Sequence, residues 1–280
     1  MKTNKLLITI SLFTTLSGCF SSELDFEDQF QPVLEAYLYM DKQVTDIHLS
    51  SMISFGSDSS GGDQITDADI YLDGENSSWK LVHDDSRPGF YASEFIPEMI
   101  PGDTFKLRIE LEEGDLSAQT VIPRDPPAVS MSASNIYIPR VESMMEFRDL
   151  DMPDPVELSW NNPDASYYFL NIQNIENNPT AIMPDPPDNR PAPEGGFVFQ
   201  MITEPTNNNY HLIDLRQLTY YGTYRIIMSS VNDEYVSLYN SLNQDSRELN
   251  EPFSNVENGL GIFTAFNSDT LYLEVIPIYQ

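Results

Sequence analysis

Basic residues, cysteine and histidine are all scarce in this chain. Its 280 residues hold 14 lysines and arginines against 44 aspartates and glutamates, a net charge of −30 and a pI near 4.1. Over most of its surface such a chain repels phosphates, which argues against nucleic acid as a partner. A single cysteine can form neither an intramolecular disulfide nor a multi-thiolate metal centre. The three histidines, His48, His83 and His211, leave little for acid–base or metal chemistry, and no H-E-x-x-H, G-x-S-x-G, Walker or dinucleotide-binding pattern occurs. Long helices are not expected either, since 20 prolines and 13 glycines cut the chain into short segments. What is present is a hydrophobic fraction of 40% with 11% aromatics, enough for packed cores in one or two domains.

The first 18 residues have the layout of a secretory signal peptide: Lys2 and Lys5, then an apolar stretch from Leu6 to Leu16. As a helix that stretch would rise about 16 Å, well short of the roughly 30 Å hydrocarbon core, so it does not serve as a transmembrane anchor. Leu16-Ser17-Gly18-Cys19 follows, and it resembles the lipobox of bacterial lipoproteins, in which cleavage between Gly18 and Cys19 precedes acylation of the cysteine. The only cysteine stands at the only lipobox. Removal of Lys2 and Lys5 with the leader shifts the net charge from −30 to −32. Two or three acyl chains such as palmitate on Cys19 would hold the protein stably in a membrane, where one chain holds only marginally. Residues 19–31 are polar and acidic and read as a flexible tether. An acidic run directly after the acylated cysteine also resembles the signal that sends Bacteroidota lipoproteins to the exterior face of the outer membrane.

From Pro32 the chain alternates like β-strands at 33–40, 46–55, 68–73, 78–84, 89–93, 104–112 and 116–122, with turn clusters between them. That spacing predicts a mainly β fold beginning with a β-sandwich of the immunoglobulin or fibronectin III kind over 32–123. Three prolines at 123, 126 and 127 end it and stiffen a linker over 124–128. A second β domain over 129–280 has strands at 129–138, 155–160, 167–175 and 270–276. Val156-Glu157-Leu158-Ser159-Trp160 resembles a fibronectin type III strand whose tryptophan packs in the core. One short helix is expected, capped by Asn232-Asp233 with an apolar stripe at Tyr235, Leu238, Tyr239 and Leu242. Prolines at 179, 184, 186, 187, 191 and 193 make 176–196 a long extended insertion.

The stretches Pro32-Val33-Leu34-Glu35-Ala36-Tyr37, Ile65 to Leu72 and Gly89-Phe90-Tyr91 resemble a Bacteroidota outer-membrane lipoprotein family known only as a domain of unknown function. The block Glu251 to Phe263 resembles that family's C-terminal signature most specifically. Genes of the family often stand beside those of TonB-dependent receptors. The resemblance therefore implies a cell-surface accessory protein and carries no catalytic motif.

Two other chemistries have candidates. Clustered carboxylates at Asp58, Asp63, Asp67, Asp69 and Asp73, and at Asp149, Asp151 and Asp154, are hard oxygen donors of the kind calcium takes, although neither cluster matches the D-x-[DN]-x-[DN]-G loop. The aromatic pairs Tyr167-Tyr168 and Tyr220-Tyr221 could stack on sugars, but adjacent strand residues face opposite sides, so the core takes one of each pair. The Pro-rich loop with Met183 and Phe197 near its ends suits protein contact, since extended proline segments lose little entropy on docking. With what that resemblance implies, the expectation is a non-catalytic, lipid-anchored accessory or binding subunit of a TonB-dependent transporter or similar complex, with no cofactor unless calcium binds. Alternatives are a free-standing glycan- or peptide-binding surface lipoprotein and a hydrolase assembled from residues distant in sequence. Replacing Cys19 with serine is expected to abolish incorporation of labelled palmitate and to move the protein from the detergent to the aqueous phase on Triton X-114 partition.

Overall fold

The computed structural model describes residues 31–53, 61–182, 199–242 and 253–278. In the first half, alternating apolar and polar residues form β1 (Pro32–Tyr39), β2 (Asp46–Ser51), β3 (Asp69–Asp73), β4 (Ser78–His83), β5 (Phe90–Ala92), β6 (Thr104–Glu110) and β7 (Leu116–Val121). These are the seven strands the alternation predicts, trimmed by a few residues at their ends. Every second residue points inward, as period-two geometry requires: Leu34, Ala36 and Leu38 on β1, Ile70 and Leu72 on β3, Phe105, Leu107 and Ile109 on β6. All of them join one buried cluster with residues of β2, β4, β5 and β7, so two layers face each other. Strand β4 turns the corner, pairing along its length with β3 and through Val82 and His83 with β5.

The second half contains β8 (Ser130–Met131), β9 (Asn135–Pro139), β10 (Val156–Ser159), β11 (Tyr167–Asn174), β12 (Gln200–Ile202), β13 (Tyr210–Ile213) and β14 (Gly222–Val231). The single strand expected over 129–138 is broken into β8 and β9, which join different sheets. Strands β13, β10 and β8 form a three-stranded layer whose Val156, Leu158 and Ile213 meet Leu170, Ile172, Ile226 and Met228 of the facing layer. Trp160 is buried in this cluster and stands edge-on to Tyr168 at 6.1 Å between ring centroids, the core role that the sequence assigns it. Helix α1 (Met144–Asp149) is one the composition does not suggest, yet it carries a local signal. The Ser143 hydroxyl accepts from the Glu146 N–H at 3.2 Å while the Glu146 carboxylate accepts from Glu142 N–H, close to a capping box. Helix α2 (Asp233–Leu242) is the expected one.

After α2 come β15 (Val256–Glu257) and β16 (Leu260–Ile278), and β16 sets the architecture. The sequence marks only 270–276 as strand; the structure extends it to 19 residues. Residues 260–266 run parallel to β1, 266–275 run antiparallel to β14, and 274–278 run parallel to β9. Phe263 and Ala265 are therefore buried in the first core, and Leu273 and Val275 in the second. The segment 256–266, which the sequence divides into the second domain, belongs to the first core instead, because β1 has an edge opposite β2 that these residues fill. The fold is mainly β as expected, but its two layered units share one 13-stranded sheet.

Entry into that strand depends on glycine. Gly261 has φ +110°, and a Cβ there would lie 2.0 Å from the Leu34 carbonyl oxygen. Gly102, at φ +97°, has open space around the same position. Gly261→Ala combines backbone strain with a clash and is expected to cost about 3 kcal/mol or more, against about 1 kcal/mol for Gly102→Ala, where only the left-handed backbone is penalised. Urea denaturation of the two variants checks the contrast.

Candidate functional site

Where β16 crosses from one core to the other, its pattern turns polar while staying buried. Thr264 and Asn267 of β16, Thr120 of β7 and Ser229 and Ser230 of β14 are all buried here. Such groups need partners when removed from water, and a network provides them. The Thr120 hydroxyl donates to Glu234 Oε1 at 2.7 Å, and the Thr264 hydroxyl approaches the same oxygen at 3.5 Å. The Asn232 amide donates to Thr120 Oγ1 and to the Val121 carbonyl at 2.7 Å, tying the start of α2 to β7. Asn267 donates to the Pro123 carbonyl at 3.2 Å and to Asp125 at 2.9 Å, which fixes the proline linker onto β16. Asn232 stands at the start of α2 as expected, its carbonyl accepting the Tyr235 and Val236 N–H groups, while its side-chain donors reach across the joint.

On the face opposite the two cores, α2 covers the crossing with aromatic rings. Phe266 sits at the centre, 5.3 Å from Tyr39, 5.0 Å from Tyr235 and 5.7 Å from Phe169 between centroids. Burial pushes the Tyr37 and Tyr39 hydroxyls up to about 12, so both are neutral at physiological pH. Of the expected helix stripe, Tyr235 joins this cluster and Val236, which lies outside the stripe, is the buried residue.

Beside the joint lies a groove of about 480 Å³ between Gln119–Val121, Asp164–Tyr167 and Val231–Glu234. A recess of about 320 Å³ shares Asp164, Ser166, Tyr167, Val231 and Asn232 with it and runs under the proline linker. The rim of the larger groove holds Ala165 at φ +51°, a backbone region that alanine rarely adopts. The groove and recess offer carboxylates, amides, hydroxyls and the Arg124 guanidinium, with the Thr120 hydroxyl paired to Glu234 on the wall, and no imidazole or thiol among the described residues that line them. That chemistry can hold a polar group or fix an angle.

The histidines lie elsewhere. On β2, His48 stacks on Phe90 at 4.5 Å, with Nδ1 3.2 Å from Glu35. His83 on β4 accepts the Gly89 N–H at Nε2 and faces Asp85 through Nδ1. Burial lowers the pKa of His211 on β13, whose Nε2 has no partner among the described residues. None of these is paired with a nucleophile.

Of the calcium candidates, Asp58 lies outside the described residues. Asp69 pairs with Lys80 and Asp73 with Arg108, which consumes part of their charge. Asp67 and Asp69, with Glu110, Glu112 and Glu113, line an acidic groove of about 650 Å³. Among the described residues no three His, Cys, Asp or Glu side chains gather as a metal site. Met183 and Phe197 fall outside the described residues, and the insertion's start is pinned by Ala181, which bridges to Tyr220. Tyr221 is buried and its hydroxyl donates to the Pro139 carbonyl at 3.0 Å, so the 220–221 pair forms no open stacking platform.

The sequence profile of a family described as Domain of unknown function (DUF4249) matches residues 21–271. The chain belongs to that family. The DUF4249 match begins two residues after Cys19 and runs through both cores, so the family's unit is the joined pair. A search of curated proteins finds no match. Among solved structures, the chicken CNTN1 FN1–FN3 domains match with TM-score 0.27 and 12% identity, covering 88% of this chain and 67% of theirs. Titin domains A168–A170 match with TM-score 0.21 and 10% identity, covering 88% of this chain and 66% of theirs. Both superpositions are loose, and the fold rests on the sheet topology itself.

Asn267→Ala removes donors from the Pro123 carbonyl and from Asp125 and is expected to lower stability by about 2 kcal/mol. Ala165→Gly relieves the rim backbone and is expected to raise stability by about 1 kcal/mol. Equilibrium denaturation of both variants measures the two signs.

Proposed function

We propose that this DUF4249 protein is a lipid-anchored cell-envelope protein of Bacteroidota, a non-catalytic accessory subunit of a TonB-dependent transporter or similar outer-membrane complex. The observation that carries the reading is Leu16-Ser17-Gly18-Cys19, a lipobox holding the chain's single cysteine. The acidic residues that follow fit a tether, and Gln31 enters β1 at one end of the first unit. Anchored there, the shared sheet would carry the second unit along with the first as one body. The net charge of −30 keeps such a body away from anionic headgroups. Grooves that are open and polar, without paired catalytic groups among the described residues, support a binding or scaffolding role over hydrolysis. No described helix is long and apolar enough to cross a membrane.

Affinity purification from detergent-solubilised outer membranes is expected to recover a β-barrel receptor with the tagged protein. Recovery without any barrel would contradict the reading. Protease treatment of intact cells is expected to remove the folded units without lysis.

A further inference from the structure

Beyond the part that α2 covers, the outer face of the second unit's large layer has no element packed on it among the described residues, and its side chains differ in character from the rest of this acidic surface. Register places Gln200 of β12, Gln173 of β11, Arg225 of β14 and Tyr272 of β16 in one row across four adjacent strands. At the strand spacing of about 4.8 Å, such a row spans about 14 Å. Tyr272 is 54% exposed and stands at its end, and Tyr137 of neighbouring β9 is 55% exposed. The next row carries Ile202 and Asn171. Arg225 donates to the Gln173 oxygen at 2.8 Å and Gln200 to the Asn171 oxygen at 3.2 Å, so the polar groups are held in place before any ligand arrives. The Arg225 Nε is buried beneath the face and has no partner among the described residues, so the guanidinium meets the surface through its terminal nitrogens.

Across these two rows the only full charge is Arg225, and the row beyond Tyr272 adds Glu274, so the strip is close to neutral in a chain of net charge −30. A partner selected by charge would find little here. Amides that both donate and accept, spaced along a flat strip and ending in a tyrosine ring, match a ligand with many hydroxyls and apolar C–H faces. Successive strands also stand about as far apart as successive rings of an extended sugar chain. We infer that this face binds a neutral, extended oligosaccharide, with Tyr272 stacking on one ring and Gln173, Gln200 and Arg225 hydrogen-bonding the hydroxyls. The inference uses neither the lipid anchor nor the joint, so it can fail or succeed independently of the transporter reading.

The test is isothermal titration of the full-length, detergent-solubilised protein with cellohexaose, xylohexaose, mannohexaose and laminarihexaose, with polygalacturonate as an anionic comparison. At least one neutral hexaose is expected to bind, with Tyr272→Ala weakening it tenfold or more and Gln173→Ala several-fold. Tyr210→Ala, an exposed tyrosine on the opposite layer, is expected to change nothing. Unaltered melting temperatures of the variants establish that the face, not the fold, is affected. Binding by none of the hexaoses, binding indifferent to Tyr272→Ala, or equal affinity for polygalacturonate would each overturn the inference. Crosslinking of position 272 to a membrane protein, with no hexaose bound, would assign the face to a protein partner and overturn it as well.

Discussion

The backbone ladder on both sides of β16 is the interaction on which the rest depends. Its first seven residues bond to β1 and its later ones to β14 and β9. An edge of β1 without it would present unpaired N–H and C=O groups, and both cores would lose apolar residues that it alone supplies. Residues 32–39 therefore wait for residues 260–266 before the first core can close. Pairing so distant in sequence is slow to form, and it makes the end of the chain a condition for folding its beginning.

The crossing point carries a further constraint. A strand buried on both faces between two cores would be expected to be apolar throughout, yet Thr264 and Asn267 interrupt it. Their hydrogen bonds reach Glu234 on α2, and Pro123 and Asp125 in the linker, so two separate elements are fixed to one strand. Apolar contacts would tolerate small rotations of one unit against the other, whereas satisfied hydrogen bonds hold a single geometry. The rings around Phe266 close the opposite face.

How much of this was legible from sequence follows from which faces are covered. Strands β1 to β7 each have one buried face, and alternation displays them clearly. Strand β14 has no such simple pattern, since Ser229, Ser230 and Val231 are all buried near the joint. The same holds for 262–267 of β16, all buried, where Thr264 and Asn267 read as loop residues because their partners come from distant parts of the chain. Trp160 was visible as a core residue because an aromatic in an alternating strand has few other places to go. The joint groove was not visible, since none of its residues forms a motif; they meet because β16 pairs with β1 on one side and β14 on the other, and because Asn232 and Glu234 bond to β7. The outer row of Gln200, Gln173, Arg225 and Tyr272 likewise depends on register across four strands. The Asn232–Thr120 bond has no sequence signal at all.

The two tryptophans test the central claim directly, because Trp79 packs on Phe105 in the first core and Trp160 on Tyr168 in the second. Trp79→Phe and Trp160→Phe variants each leave one fluorophore reporting on one core. Urea unfolding followed by intrinsic fluorescence is predicted to give the same midpoint and slope for both reporters once each variant's own stability is matched by circular dichroism. Two separated transitions, with one core melting while the other remains folded, would contradict a structure held together by a shared strand.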